Sequence, residues 1–160
     1  MNSTIVIGTV LGDPHYIGKD LMAKKLREAD FKVIDLGVDA SADMFVTAVK
    51  ESGADIMGIF GFLIPNLEYM EAIITRLKKT GLRSKVRILV WGSTVSETFA
   101  RKIGADAYAK KAETGVEICK AWAQESPSIV ARALTLFKEG DYDNFPPGKY
   151  SPKRGDVEVK

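Results

Sequence analysis

Cysteine, histidine and net charge are all scarce in this sequence of 160 residues. A single cysteine, Cys119, excludes an intrachain disulfide and fits a reducing compartment. Basic and acidic residues nearly balance, at 23 against 21, so neither nucleic acid nor a membrane surface is expected as the main partner. No apolar run is long enough to span a bilayer, and no signal peptide precedes the first apolar segment. These absences predict a soluble, cytoplasmic protein.

Apolar residues, by contrast, make up 46% of the chain, which is enough for a well-formed core. They fall into five apolar segments, each followed by a helical pattern. This strict alternation predicts an α/β fold in which helices cover both faces of a parallel sheet. We expect a flavodoxin-like, doubly wound, five-stranded sheet with the strand order 2-1-3-4-5. The strands are predicted at residues 4–10, 31–36, 56–60, 86–90 and 105–109.

Several helix starts are marked by residues that favour capping. Ser41, Asn66 and Ser96 each precede a helical pattern and are expected to be N-caps. Thr114 and Glu117 have the spacing of a capping box within the fifth helix.

The composition changes near residue 125. Residues 1–125 are expected to form the sheet domain, and residues 126–160 an extra C-terminal helix followed by an irregular tail. The helix is predicted to begin at Ser126-Pro127 and to stop at Gly140. The tail beyond it is rich in proline, glycine and charge, so little regular structure is expected there.

The loop Gly12–Lys19 is the main candidate for function. It joins the first predicted strand to the first helix, and ligands of open α/β sheets bind at such carboxyl ends of strands. His15, the only histidine of the chain, lies in this loop. An imidazole can bind a metal or transfer a proton near neutral pH, and Asp13 can fix its tautomer as a hydrogen-bond acceptor.

Other functions of this architecture lack their required residues. A response regulator needs an acceptor aspartate at the end of the third strand, where this chain has Phe60-Gly61. A flavodoxin needs a phosphate loop rich in serine and threonine after the first strand, and a dinucleotide site needs G-x-G-x-x-G there. Gly12-Asp13-Pro14-His15 provides neither.

The run from Gly12 to Gly18, GDPHYIG, matches the D-x-H-x-x-G signature of cobalamin-binding domains. With the stretches VIDLGVD and IGADAYA, the chain from about Thr4 to Trp122 most resembles the corrinoid proteins of methyltransferase systems and the cobalamin domain of methionine synthase. The small subunits of adenosylcobalamin-dependent mutases are similar but more distant. The resemblance therefore implies cobalamin or another corrinoid as the cofactor.

The resemblance also assigns roles to residues. His15 would replace the cofactor's own base as the lower ligand of cobalt, and Asp13 would hydrogen-bond its other ring nitrogen. The displaced nucleotide tail would enter a groove along the sheet. The residues expected to contact the cofactor are Gly12, Asp13, Pro14, His15, Tyr16, Ile17, Gly18, Gly61, Leu63, Trp91, Gly92 and Tyr108.

Three positions depart from the family pattern. Gly61 stands where the S-x-L motif has a serine whose hydroxyl meets the tail. Trp91 replaces the first residue of a double glycine, and its indole could fill the groove or stack on a flat ligand. Tyr16 stands where methyl carriers often have a second acidic residue. We expect these changes to leave the ligation of cobalt by His15 intact and to alter the binding of the nucleotide tail.

The expected function is a methyl carrier between two methyltransferases, a component rather than a complete enzyme. Two alternatives remain at this point: a degenerate cobalamin-fold module for interaction or regulation, and a mutase small subunit. Met1 lies almost against the first strand, which leaves no room for the helical domain that usually caps the methyl face. A partner chain or a second copy of this chain is therefore expected to cover that face.

Overall fold

The computed structural model describes residues 3–124, which contain a five-stranded sheet in the order β2-β1-β3-β4-β5. All four strand pairs are parallel, as predicted. The strands are β1 Thr4–Thr9, β2 Lys32–Asp35, β3 Ile56–Phe60, β4 Arg87–Trp91 and β5 Ala107–Ala109. The helices are α1 Ile17–Glu28, α2 Ala42–Ser52, α3 Glu68–Lys79, α4 Glu97–Ile103 and α5 Ala112–Gln124.

The helices divide the interior into two cores, one on each face of the sheet. The side chains of α1 and α5 pack on one face with Leu26, Leu89 and Trp122 among the buried residues. The side chains of α2, α3 and α4 pack on the other face around Phe45, Ile74 and Ile88. Because both faces are covered, the central strands are mostly apolar rather than alternating, and every residue of β3 and β4 is buried, including Arg87. The doubly wound fold is confirmed.

Two of the predicted helix caps are present. Ser41 accepts a hydrogen bond from Met44 N at 3.2 Å, and Ser96 accepts one from Phe99 N at 3.1 Å. The expectation for Asn66 is wrong, since it ends a short 3₁₀ turn, Ile64–Asn66, and α3 begins at Glu68 without a side-chain cap.

The predicted capping box in α5 is also wrong. The helix begins at Ala112, so Thr114 already lies inside it and is buried. Ala112 and Glu113, which precede Thr114 in α5, are both good helix formers, so the helix starts before the predicted cap.

The fourth strand is one residue longer than predicted at its C-terminal end. Trp91, which the sequence places just after the fourth strand, is the last residue of β4 and pairs in register with Phe60.

The predicted helix after Ser126 and the tail lie outside the described residues. None of the helices within residues 3–124 has the length and apolar composition needed to cross a bilayer.

Candidate functional site

The loop between β1 and α1 is tied down by neighbouring elements. The hydroxyl of Thr9 donates to the backbone oxygen of His15 at 2.8 Å. The backbone N–H of Gly12 donates to the Asp39 carboxylate at 2.7 Å, and the Asn66 amide donates to the Leu11 oxygen at 3.1 Å. These bonds fix the path of the loop at the carboxyl edge of the sheet.

Asp13 connects this loop to the loop that follows β3. One carboxylate oxygen accepts from the backbone N–H of His15 at 2.9 Å and lies 2.6 Å from its Nδ1. The other accepts from the backbone N–H groups of Phe62 and Leu63, at 2.7 and 2.9 Å. Since Asp13 is 0% exposed, all four bonds are shielded from water. The side chain therefore holds two loops and one imidazole in a single arrangement.

The hydrogen bonds also control the charge of Asp13. Burial by itself raises the pKa of this carboxyl, but the backbone N–H groups of Leu63, Phe62 and His15, together with the imidazole, favour the charged form and outweigh it. The pKa of Asp13 consequently lies below its ordinary value. A carboxylate that stays ionised keeps accepting from Nδ1.

The imidazole of His15 is held on one side and open on the other. Its Nδ1 lies against Asp13, and the side chain is 42% exposed. The ring of Phe62 lies on it with a centroid separation of 4.4 Å and an interplanar angle of 34°. With the proton of the neutral ring on Nδ1, the lone pair of Nε2 is the free one. This geometry suits a ligand for one metal ion.

A cavity of about 430 Å³ opens beside the imidazole. It lies between the start of α1, the ends of β3 and β4 and the start of α5. Its lining is mainly apolar, and Lys110 and Ser93 add polar groups to those of His15 and Tyr16. The lining residues are Pro14, His15, Tyr16, Ile17, Gly18, Leu21, Phe60, Phe62, Trp91, Gly92, Ser93, Lys110 and Ala112.

Trp91 forms part of the cavity wall without filling the cavity. The outer edge of its six-membered ring lies over Gly58, where an added Cβ would come 2.9 Å from Cζ3. Its ring also contacts that of Phe60, with centroids 5.3 Å apart. The side chain is 1% exposed, and its Nε1 has no hydrogen-bond partner among the described residues.

Glycine is required at two places around the cavity. At Gly18, an added Cβ would lie 2.7 Å from the ring of Phe60, so only glycine lets α1 start so close to β3. Gly92 has φ +144°, and a side chain there would collide with the backbone oxygen of Gly61. A serine at position 61 would meet Leu67 and Met70 at 2.7 Å, so apolar packing has replaced the hydroxyl expected there.

The expected cofactor-contact residues separate into three groups. Seven of them line the cavity: Pro14, His15, Tyr16, Ile17, Gly18, Trp91 and Gly92. Asp13 and Leu63 support the site through the hydrogen bonds described above, and Gly12 and Gly61 shape its loops. Tyr108, expected to contact the cofactor, is instead buried in the core on the opposite face of the sheet. In β5 the side chain of Tyr108 points to the face of the sheet opposite the cavity. The resemblance to the family motif gave no information about this orientation.

Sequence reasoning missed several wall residues. Phe60, Leu21 and Ala112 were not among the expected contact residues, yet they line the cavity. Their apolar character gave no signal that distinguishes a cavity wall from a core.

The rim around His15 is unusually apolar for an exposed surface. Ile17 is 74% exposed and Ile64 is 69% exposed, and Leu11, Tyr16 and Phe62 are also exposed. Large apolar side chains clustered around one polar group mark a surface that receives a ligand or a partner.

Comparison with known proteins decides the family. The family model described as the B12 binding domain matches residues 3–120. The chain belongs to the B12-binding domain family. A curated relative, dimethylamine corrinoid protein 3 of Methanosarcina acetivorans, is 40% identical over 116 residues, which cover 72% of this chain and 54% of the relative.

Solved structures of the family have the same fold. A cobalamin-binding protein from Desulfitobacterium hafniense DCB-2 superposes with a TM-score of 0.74 at 36% identity, covering 76% of this chain and 59% of that one. A chain of the methanol:cobalamin methyltransferase complex from Methanosarcina barkeri superposes with a TM-score of 0.72 at 23% identity, covering 77% and 47%. This second likeness shows the fold alone. The chain spans about half the length of the curated relatives it matches.

Proposed function

We propose that this chain binds a corrinoid with His15 as the lower ligand of cobalt and acts as the methyl carrier of a corrinoid-dependent methyltransferase system. The observation that carries the proposal is the Asp13–His15 pair, in which Nδ1 is held at 2.6 Å and Nε2 is left available on a half-exposed ring. Membership of the B12-binding family and the names of the relatives as corrinoid proteins support the same cofactor.

The residues around His15 fit a metal that arrives inside a macrocycle. Within residues 3–124, no group of three or more histidine, cysteine or acidic side chains could hold a metal ion. A free ion would therefore find a single imidazole, which is too few ligands for a protein metal site. A corrin supplies four nitrogens of its own and needs only one ligand below the ring.

The surroundings also fit the two parts of a corrinoid. The exposed apolar rim of Leu11, Ile17 and Ile64 offers a surface for the flat ring. The cavity beside the imidazole has aromatic walls that suit the base of the nucleotide tail. Lys110 and Ser93 in its lining can donate hydrogen bonds to the phosphate of that tail. The cavity remains about 430 Å³ in size although Trp91 forms part of its wall, so this observation does not favour a degenerate site.

When bound, the corrinoid supplies a cobalt ion that can accept and give up a methyl group. The chain's own residues hold and tune it. Asp13 would keep the Nδ1 proton of His15 in place and fix the orientation of the ring, so that Nε2 is the nitrogen presented to the metal. Methyltransferase proteins that load and unload the methyl group are the proposed partners, and one of them, or a second copy of this chain, would cover the exposed rim.

A titration of the purified chain with hydroxocobalamin, followed by its visible spectrum, tests the proposal. The wild type is expected to shift the absorption bands as the imidazole takes the place of the cofactor's base. His15→Ala is expected to abolish that shift while its far-ultraviolet circular dichroism stays unchanged. A wild type that leaves the spectrum unchanged would favour the interaction module instead. A requirement for adenosylcobalamin and a large partner subunit would favour the mutase subunit.

A further inference from the structure

Trp91 carries a buried polar atom that none of the residues described by the structure satisfies. The side chain is 1% exposed, and Nε1 has no hydrogen-bond partner among residues 3–124. Buried donors are nearly always paired, because leaving one unpaired costs free energy that water or a partner would otherwise recover. Because Trp91 belongs to the wall of a ligand cavity, its unpaired indole N–H calls for an acceptor from outside residues 3–124.

The position of the indole restricts where that acceptor can come from. The Cζ3 and Cη2 edge of the ring lies over Gly58, which is deeper in the sheet and does not line the cavity. Nε1 is on the opposite side of the ring from that edge. The cavity is lined by Trp91 itself and by its neighbours Phe60 and Gly92 at the strand ends.

The walls of the cavity describe the shape of its occupant. Phe60, Phe62 and Trp91 are aromatic, and Leu21 and Ala112 are aliphatic. Such a lining suits a flat, apolar ring, and the orphan N–H adds the requirement of an acceptor in the plane of that ring. Gly61 has no side chain, so position 61 provides no hydroxyl that could donate a hydrogen bond to the ligand's ring in place of Trp91.

We propose that Trp91 Nε1 donates a hydrogen bond to the ring nitrogen of the corrinoid's tail base, the nitrogen that His15 displaces from cobalt. This inference rests on the proposed function. Once the base is displaced, its ring nitrogen no longer binds cobalt. The in-plane lone pair of that nitrogen is then free to accept a hydrogen bond. Trp91 is thus a specificity-determining residue that favours corrinoids with a nitrogenous base over corrinoids that lack one.

A comparison of two corrinoids on two proteins tests the inference. Cobalamin carries a nitrogenous base on its tail, and cobinamide has neither the base nor its phosphate. Trp91→Phe keeps an aromatic ring against Gly58 and Phe60 but removes the N–H. We expect its affinity for cobalamin to fall about tenfold, as for one lost hydrogen bond, with its affinity for cobinamide unchanged. Trp122→Phe, which changes a buried indole outside the cavity, is the matched control and should alter neither affinity.

The outcomes separate this inference from the proposed function. An equal loss for both corrinoids, or no loss for either, would overturn the role of Nε1 while leaving corrinoid binding intact. Failure of the wild type to bind either corrinoid would overturn both.

A second measurement needs no change at Trp91. The chain has two tryptophans, so labelling them with ¹⁵N gives two indole N–H signals, and Trp122→Phe identifies the one from Trp91. The Trp91 signal is expected to move downfield with cobalamin and not with cobinamide, because a new acceptor deshields the proton. A signal that behaves alike with both corrinoids would contradict the proposal.

Discussion

Replacing Asp13 by asparagine tests the part of the site on which the rest depends. The carboxylate accepts from two donors at each oxygen: His15 N and Nδ1 on one side, and the backbone N–H groups of Phe62 and Leu63 on the other. An amide has one accepting oxygen and one donating NH₂ group. Whichever way it turns, one pair of donors faces an NH₂ group and loses its acceptor.

The magnitude follows from those two lost bonds. A shielded donor left without a partner costs about 1–3 kcal/mol, so Asp13→Asn should lower the free energy of unfolding by about 3 kcal/mol. For a domain of this size, that loss corresponds to a drop in melting temperature of about 10 °C. Urea and thermal unfolding of the ligand-free protein, followed by circular dichroism, measure it. Asp43→Asn, at an exposed carboxylate paired with Arg76, should change stability by less than about 1 kcal/mol.

The pH dependence gives a second check on Asp13. Its folded-state pKa lies below the ordinary value, so the unfolded chain binds more protons near pH 4, and stability rises with pH there. The advantage of the wild type over Asp13→Asn should be complete above about pH 5 and shrink as the pH falls through the folded-state pKa. A variant as stable as the wild type at pH 7, or a difference that does not shrink in acid, would refute the proposed role of Asp13.

Three further substitutions or reagents test other contacts. Phe62→Ala removes the ring that lies on the imidazole and should weaken corrinoid binding about three- to tenfold, measured by visible titration, without a change in fold. Gly92→Ala should destabilise the apo protein by more than about 3 kcal/mol in urea unfolding, because its Cβ would collide with Gly61 O at a positive φ. Gly37→Ala, with φ +80° but open space, should cost only about 1 kcal/mol. Burial raises the pKa of the Cys119 thiol, so iodoacetamide should modify it only after unfolding; rapid labelling of the native protein would contradict its burial.

The topology could be predicted from the sequence because its signals are local and repeated. Five apolar segments alternate with helical patterns, and right-handed crossovers leave few arrangements of them. The caps at Ser41 and Ser96 were predictable for the same reason, since a cap depends on the few residues that follow it. Asn66 failed as a cap because its side chain bonds to Leu11 O in a distant loop, which competes with the helix end.

The centre of the site was also predictable, since Asp13 and His15 are two residues apart and match a family motif. The contacts of Asp13 with Phe62 and Leu63 were not, because they bridge a sequence separation of about 50 residues and involve backbone groups that any residue has. Trp91 shows the same limit. Its residue type suggested either filling or stacking, and only the space left by Gly58 determines where the indole lies.

Ligation of cobalt by His15 is the central claim, and electron paramagnetic resonance of the Co(II) form of bound cobinamide tests it most directly. Cobinamide has no base of its own, and the chain has one histidine, so a nitrogen seen below the ring can be assigned by labelling. The proposed ligation predicts that each cobalt line splits into three with ordinary protein and into two when histidine carries ¹⁵N. Spectra without nitrogen splitting, or with splitting that the label does not change, would contradict it.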